Sequence, residues 1–146
     1  MSPIRYVKGV YLWNMVFLLL AGMISPAFGG GNTASGVLDG KTFMVKQGEK
    51  GKEATDTDTL IFKDGKFHSI ACDKYGFSEG GYTAKEEGDT LQFVADISSA
   101  KKGKMHWEGT VEGDIIHISY VWVDRSHWYK PNPKPVEYWA KGALKK

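Results

Sequence analysis

Large apolar residues alternate with polar ones on both sides of Gly113-Asp114. Met105, Trp107, Gly109 and Val111 share one parity with Ile116, Ile118, Tyr120 and Trp122 across this break, while His106, Glu108, Thr110, His117 and Ser119 take the other. A period of two places one face of a strand in a core and the other in water. Elsewhere the chain repeats this device: a short run of β-prone residues, a turn signal, another run. The pattern predicts strands at Lys41–Lys46, Thr59–Lys63, Lys66–Ala71, Gly81–Lys85, Thr90–Ile97, Lys104–Val111, Ile115–Asp124 and Val136–Leu144.

Two hairpins test the reading by parity. Asp64-Gly65 is a strong type I′ turn signal, and a two-residue turn there sets Phe62 opposite Phe67 and Leu60 opposite Ser69. A turn at Glu87-Gly88 or at Gly88-Asp89 keeps Tyr82, Ala84, Leu91 and Phe93 on one face. The expected fold is therefore all-β, a single antiparallel up-and-down meander of eight strands, and closing it into a barrel removes exposed edges. Such a barrel is wide enough to be filled by side chains or to hold one small ligand. Two segments interrupt the meander and would rim any pocket. Gln47 to Asp58 is charged and lacks large apolar residues, which predicts a solvated loop; Arg125 to Pro135 carries three prolines beside His127, Trp128 and Tyr129.

The N-terminus departs from this pattern. Arg5 and Lys8 precede an apolar stretch from Val10 to Ile24, followed by Pro26 and the small residues Ser25, Ala27 and Gly29. That is the layout of a secretory signal peptide, short for a membrane span of roughly 20 residues. Residues 1–29 are expected to be the signal, 30–37 a flexible lead-in and 38–146 the barrel domain, exported to a periplasmic or extracellular space. The rival reading is an uncleaved anchor. Met23 and Ile24, not a cysteine, directly follow Gly22, so lipoprotein acylation is not expected.

The whole chain has 19 Lys and Arg against 17 Asp and Glu, and losing Arg5 and Lys8 with the signal leaves a formally neutral protein. Nucleic-acid binding normally shows a basic excess or stripe, so that class is disfavoured. The lysines at 101, 102 and 104, and at 141, 145 and 146, read as solvated surface. Cys72 is the single cysteine, which excludes an internal disulfide; it is expected as a partly buried residue at a strand end. Monomer and dimer stay open.

The segments LDGKTFMV and EYWAKGAL, at the first and last strands of the meander, resemble the calycin group of lipocalin-like small secreted barrels. The resemblance implies an eight-stranded barrel that carries or sequesters a small apolar molecule. Gly40-Lys41-Thr42 places threonine where the lipocalin first-strand signature Gly-x-Trp has tryptophan, so no binding residue carries over beyond Gly40.

Candidate chemistry follows from parity. Tyr82, Phe93, Trp107, Ile118, Tyr120 and Trp122 point inward and form the candidate ligand wall, since Tyr and Trp offer polar tips as well as apolar bodies. The same residues also suit a filled core. In that case the alternative function is a non-enzymatic envelope interaction module that meets a protein or glycan through His127, Trp128 and Tyr129. On the wet face, pairing would set His117 directly or diagonally across from Glu108, with His106 along the same strand. Two imidazoles and a carboxylate within about 5–8 Å are raw material for a metal site, though they equally make an ordinary ion pair, and no fourth ligand is evident. Cys72 and His68, four apart on one strand, would lie about 13 Å apart, too far for proton transfer. No nucleophile elbow, phosphate loop or HExxH motif occurs, and neither catalysis nor a cofactor is expected.

Overall fold

The structure is a computed structural model that describes residues 33–34, 36–127 and 129–146. Its strands are β1 (Thr33–Ala34), β2 (Thr42–Glu49), β3 (Asp56–Lys63), β4 (Lys66–Ser69), β5 (Gly80–Glu87), β6 (Thr90–Ser99), β7 (Gly103–Glu112), β8 (Ile115–Asp124) and β9 (Val136–Leu144). From β2 onward each strand pairs antiparallel with the next, and β9 returns to β2, so eight strands close into an up-and-down barrel. This architecture fits the calycin-like expectation. The proposed signal lies outside the described residues.

The turn chemistry is as the residues require. Asp64 and Gly65 have φ of 54° and 73°, the two positive values of a type I′ turn, and Phe62 faces Phe67 across it. The second hairpin uses Gly88-Asp89, since Glu87 pairs with Thr90. In the third, Trp107 lies opposite Tyr120 and Gly109 opposite Ile118.

Aromatic packing fills one end of the barrel. Leu38, Phe43, Phe62, Phe67 and Trp107 have no exposed surface, and Phe93 is almost fully buried. The Phe62 ring meets Tyr82 and Phe93 edge-on at centroid distances of 5.0 and 5.1 Å, a geometry favoured by the ring quadrupole. Across this end the Tyr82 hydroxyl donates to Asp39 Oδ1 at 2.7 Å and accepts from the Leu38 amide at 2.9 Å. Asp39 in turn accepts from the Gly65 amide. The segment before β2 is thereby tied to the β3–β4 turn as a lid on the core.

Most strand ends move by one to three residues from the sequence pattern, and three departures change the architecture. The first loop shrinks to residues 50–55, because Gln47 and Asp58 belong to strands and point inward. Polar inward positions erase the apolar alternation that marks a strand. β4 stops at Ser69, and Ile70–Tyr75 forms a 3-10 helix carrying Cys72; Asp58 Oδ1 accepts from the Ala71 amide at 2.9 Å, holding the turned backbone. Thr33 and Ala34, within the expected flexible lead-in, pair with Lys85 and Ala84. β4 is too short to cover that part of β5, reaching only Gly80 and Gly81, so an edge is open there for β1.

Candidate functional site

At the end opposite the Tyr82 lid the barrel narrows to a recess of about 140 Å³, bordered by Gln47, Asp56, Cys72, Met105, Tyr120 and Tyr138, with Tyr75 and Trp122 at its rim. Its floor is aromatic. Trp107 stacks on Tyr120 with centroids 3.9 Å apart and planes within 14°, and Tyr120 stacks on Tyr138 at 4.9 Å and 9°. This column follows from register, since Trp107 pairs with Tyr120 on β8 and Tyr120 with Tyr138 on β9.

Polar groups interrupt the aromatic wall. The Tyr120 hydroxyl donates to Gln47 Oε1 at 3.2 Å, and burial pushes its pKa well above the usual phenol range. Trp122 Nε1 donates to the Lys102 carbonyl at 2.9 Å, which fixes the indole beside Tyr75 at 6.3 Å. Behind the 3-10 helix, Ser69 donates its hydroxyl to Asp58 Oδ2. Burial raises the Asp58 pKa, and the bonds from Ser69 and Ala71 pull against it. Burial likewise pushes the Cys72 thiol up to about 11, with nearby Asp58 and Asp73 adding to the rise. In the core, Trp107 Nε1 is buried and has no hydrogen-bond partner among the described residues.

Of the six inward residues named from parity, Tyr120 and Trp122 border the recess. Tyr82, Phe93, Trp107 and Ile118 are packed into the core, with Tyr82 committed to the lid. The alternation did identify inward positions; it carried no information about which end of the barrel stays open. Gln47, Asp56, Ala71, Cys72, Tyr75, Met105 and Tyr138 also border the recess. Tyr138 was legible in principle, because it faces Tyr120 once β8 and β9 are registered, whereas Cys72 and Tyr75 arrive through a helix that the strand pattern conceals.

The outer wall separates the other candidates. His106 donates or accepts between Asp96 Oδ1 at 2.7 Å and Glu108 Oε1 at 3.0 Å, using opposite ring nitrogens. His117 instead pairs with Thr110, while Glu108 faces Ser119, so His117 is diagonal to Glu108. Among the described residues no three His, Cys, Asp or Glu side chains converge as metal ligands. His68 reaches Asp73 rather than Cys72. In the proline-rich loop, His127 and Tyr129 rings lie 5.3 Å apart and Tyr129 is 59% exposed; Trp128 lies outside the described residues.

Compared with protein-family models, curated proteins and solved structures, the chain matches none.

Proposed function

We propose that the protein is an exported, non-catalytic binding barrel holding one small, flat, mainly apolar molecule at its open end. The observation that supports this most directly is the recess itself, an aromatic-floored space of about 140 Å³ beside the Gln47 amide. A cavity of roughly 150 Å³ accepts a single benzene ring, so the ligand is of one-ring size and does not penetrate the barrel. The Tyr120–Tyr138 column supplies a parallel face for stacking. Export rests on the charged and apolar layout of residues 5–29.

The filled aromatic end and the exposed Tyr129 favour a second reading, an envelope interaction module that uses the proline-rich loop. Thermal shift with indole and p-cresol separates the two. Binding to the folded state raises the melting temperature in proportion to RT ln(1 + [L]/Kd). The carrier reading expects a dose-dependent rise that Ala71→Leu abolishes, because Ala71 borders the recess and leucine would fill it. Wild-type protein with no shift from either compound at millimolar concentration would leave the interaction module standing.

A further inference from the structure

One stretch of the outer wall is apolar where a wet strand face is ordinarily polar. Met44 on β2, Ala143 on β9 and Ile115 on β8 stand in one row across paired strands. Met44 is 56% exposed and Ile115 42%, and Ile70, at the start of the 3-10 helix, is 45% exposed. All three border one open groove of about 670 Å³, in which the small Ala143 leaves a trough between Met44 and Ile115. Lys46 and Lys141, directly opposite each other, line the same groove. Like charges so placed destabilise a strand pair. Ion pairs hold Lys50, Lys52, Lys66 and Lys146, but among the described residues none holds Lys46 or Lys141. We propose that this wall docks on the surface of an anionic phospholipid bilayer, with Met44, Ile70 and Ile115 entering the headgroup boundary and Lys46 and Lys141 meeting lipid phosphates.

Charge and backbone pairing select this partner. The one acidic residue bordering the groove, Asp58, is buried and already bonded to Ser69 and Ala71. Asp114, beside Ile115 in the chain, is paired with Lys146 at 3.2 Å, and Glu112, opposite Ile115 on β7, marks the end of the apolar row. The face is therefore apolar with a basic border, and such a face binds anionic lipid by burying side chains at the headgroup boundary and by attraction to phosphate. A second copy of the chain fits poorly. An isologous contact presents the same patch from both sides, which would bring the lysine pairs of both copies together with no free carboxylate in the groove lining. A peptide strand fits no better, because β2, β9 and β8 are each hydrogen-bonded on both sides and offer no open ladder for an added strand. A lipid surface needs neither. The docking face lies on the outside of the barrel and does not rest on the ligand proposed for the recess.

Co-sedimentation of the purified protein with sucrose-loaded vesicles tests the docking, with circular dichroism confirming that each variant is folded. The expected result is partition onto vesicles of equal parts phosphatidylglycerol and phosphatidylcholine that is about tenfold or more stronger than onto phosphatidylcholine alone. It should fall as salt is raised to about 1 M, where the screening length is about 3 Å. Each lysine near such a surface contributes about fivefold, so Lys46→Gln with Lys141→Gln should weaken partition roughly 25-fold. Met44→Gln with Ile115→Thr should weaken it about tenfold while the salt dependence persists. Val94→Thr, at an exposed apolar position on β6, should change nothing. No partition onto the mixed vesicles, equal partition onto both compositions, or undiminished partition in either double variant overturns the proposal, in favour of an acidic peptide if immobilised polyglutamate retains the protein. A lipid-free dimer in sedimentation velocity that Met44→Gln with Ile115→Thr dissolves also overturns it, in favour of a self-association face.

Discussion

Replacing Gly109 by alanine adds a single methyl group at the most crowded position of the inner wall. A β-carbon there would stand 2.5 Å from Phe93 Cε1, 2.8 Å from Phe93 Cζ and 2.8 Å from the His117 carbonyl oxygen. Carbon atoms rest at about 3.5–4.0 Å, so the Phe93 ring must retreat by roughly 1 Å. Phe62 stands behind it at 5.1 Å and Phe67 at 6.2 Å, and the carbonyl belongs to the adjacent strand, so neither obstacle moves freely. Overpacking of this kind costs about 1–3 kcal/mol, and the backbone clash puts Gly109→Ala near 3 kcal/mol. At about 4–8 °C per kcal/mol for domains just under this size, the melting temperature should fall by at least 10 °C. Urea and thermal unfolding of Gly109→Ala, Phe93→Leu and the double variant would measure both cost and cause. The double variant should lose less than the sum of the singles by about 1 kcal/mol, because a smaller residue at 93 removes one of the two clashes. Wild-type stability in Gly109→Ala, or strict additivity in the cycle, would refute the packing argument.

Trp107→Ala should destabilise by about 3–5 kcal/mol through the cavity it leaves, whereas His106→Ala on the outer face should cost under about 1 kcal/mol; equal losses in urea unfolding would contradict the inward and outward assignment. His106 hydrogen-bonds Asp96 first and Glu108 second, which raises its pKa. The stability it adds is present below the usual histidine value near 6.5 and is lost as pH rises through the higher folded value, and an NMR titration finding His106 below 6.5 would refute this. Asp58 also has a raised folded pKa, so its contribution is fully present below about 3.8 and falls as pH rises through the folded value. Asp58→Asn removes that titration and should gain stability relative to wild type between pH 4 and pH 7, a trend that chemical unfolding at each pH would detect or exclude. Mass analysis of exported protein should show loss of about 27–29 residues, and an intact Met1 in a membrane fraction would indicate an anchor instead.

The hairpins were legible because two independent signals agree there, turn chemistry and side-chain parity. Asp64-Gly65 and the alternation from Met105 to Trp122 specify partner and face together, and the limits of β8 and β9 coincide with the sequence pattern. Legibility failed where inward positions are polar. Gln47 and Asp58 read as loop residues because their burial depends on partners distant in sequence, the hydroxyls of Tyr120 and Ser69. A glycine on an inner wall leaves room for a guest or for a neighbour, and at Gly109 the Phe93 ring occupies that space. The recess was legible only in part, since it depends on which loops cross which end, and strand periodicity carries no information on that.

Closure of β9 between β2 and β8 has a consequence for how the chain is made. The first long strand finds one of its two neighbours only when the last strand exists, through pairs such as Phe43 with Leu144. A ribosome that has yet to deliver residues 136–144 therefore holds an open sheet with two bare edges, β2 and β8, each able to recruit a foreign strand. A stop codon just before Val136 would accordingly do more harm than the small number of missing residues suggests, yielding an aggregation-prone ribbon in place of a slightly shortened barrel.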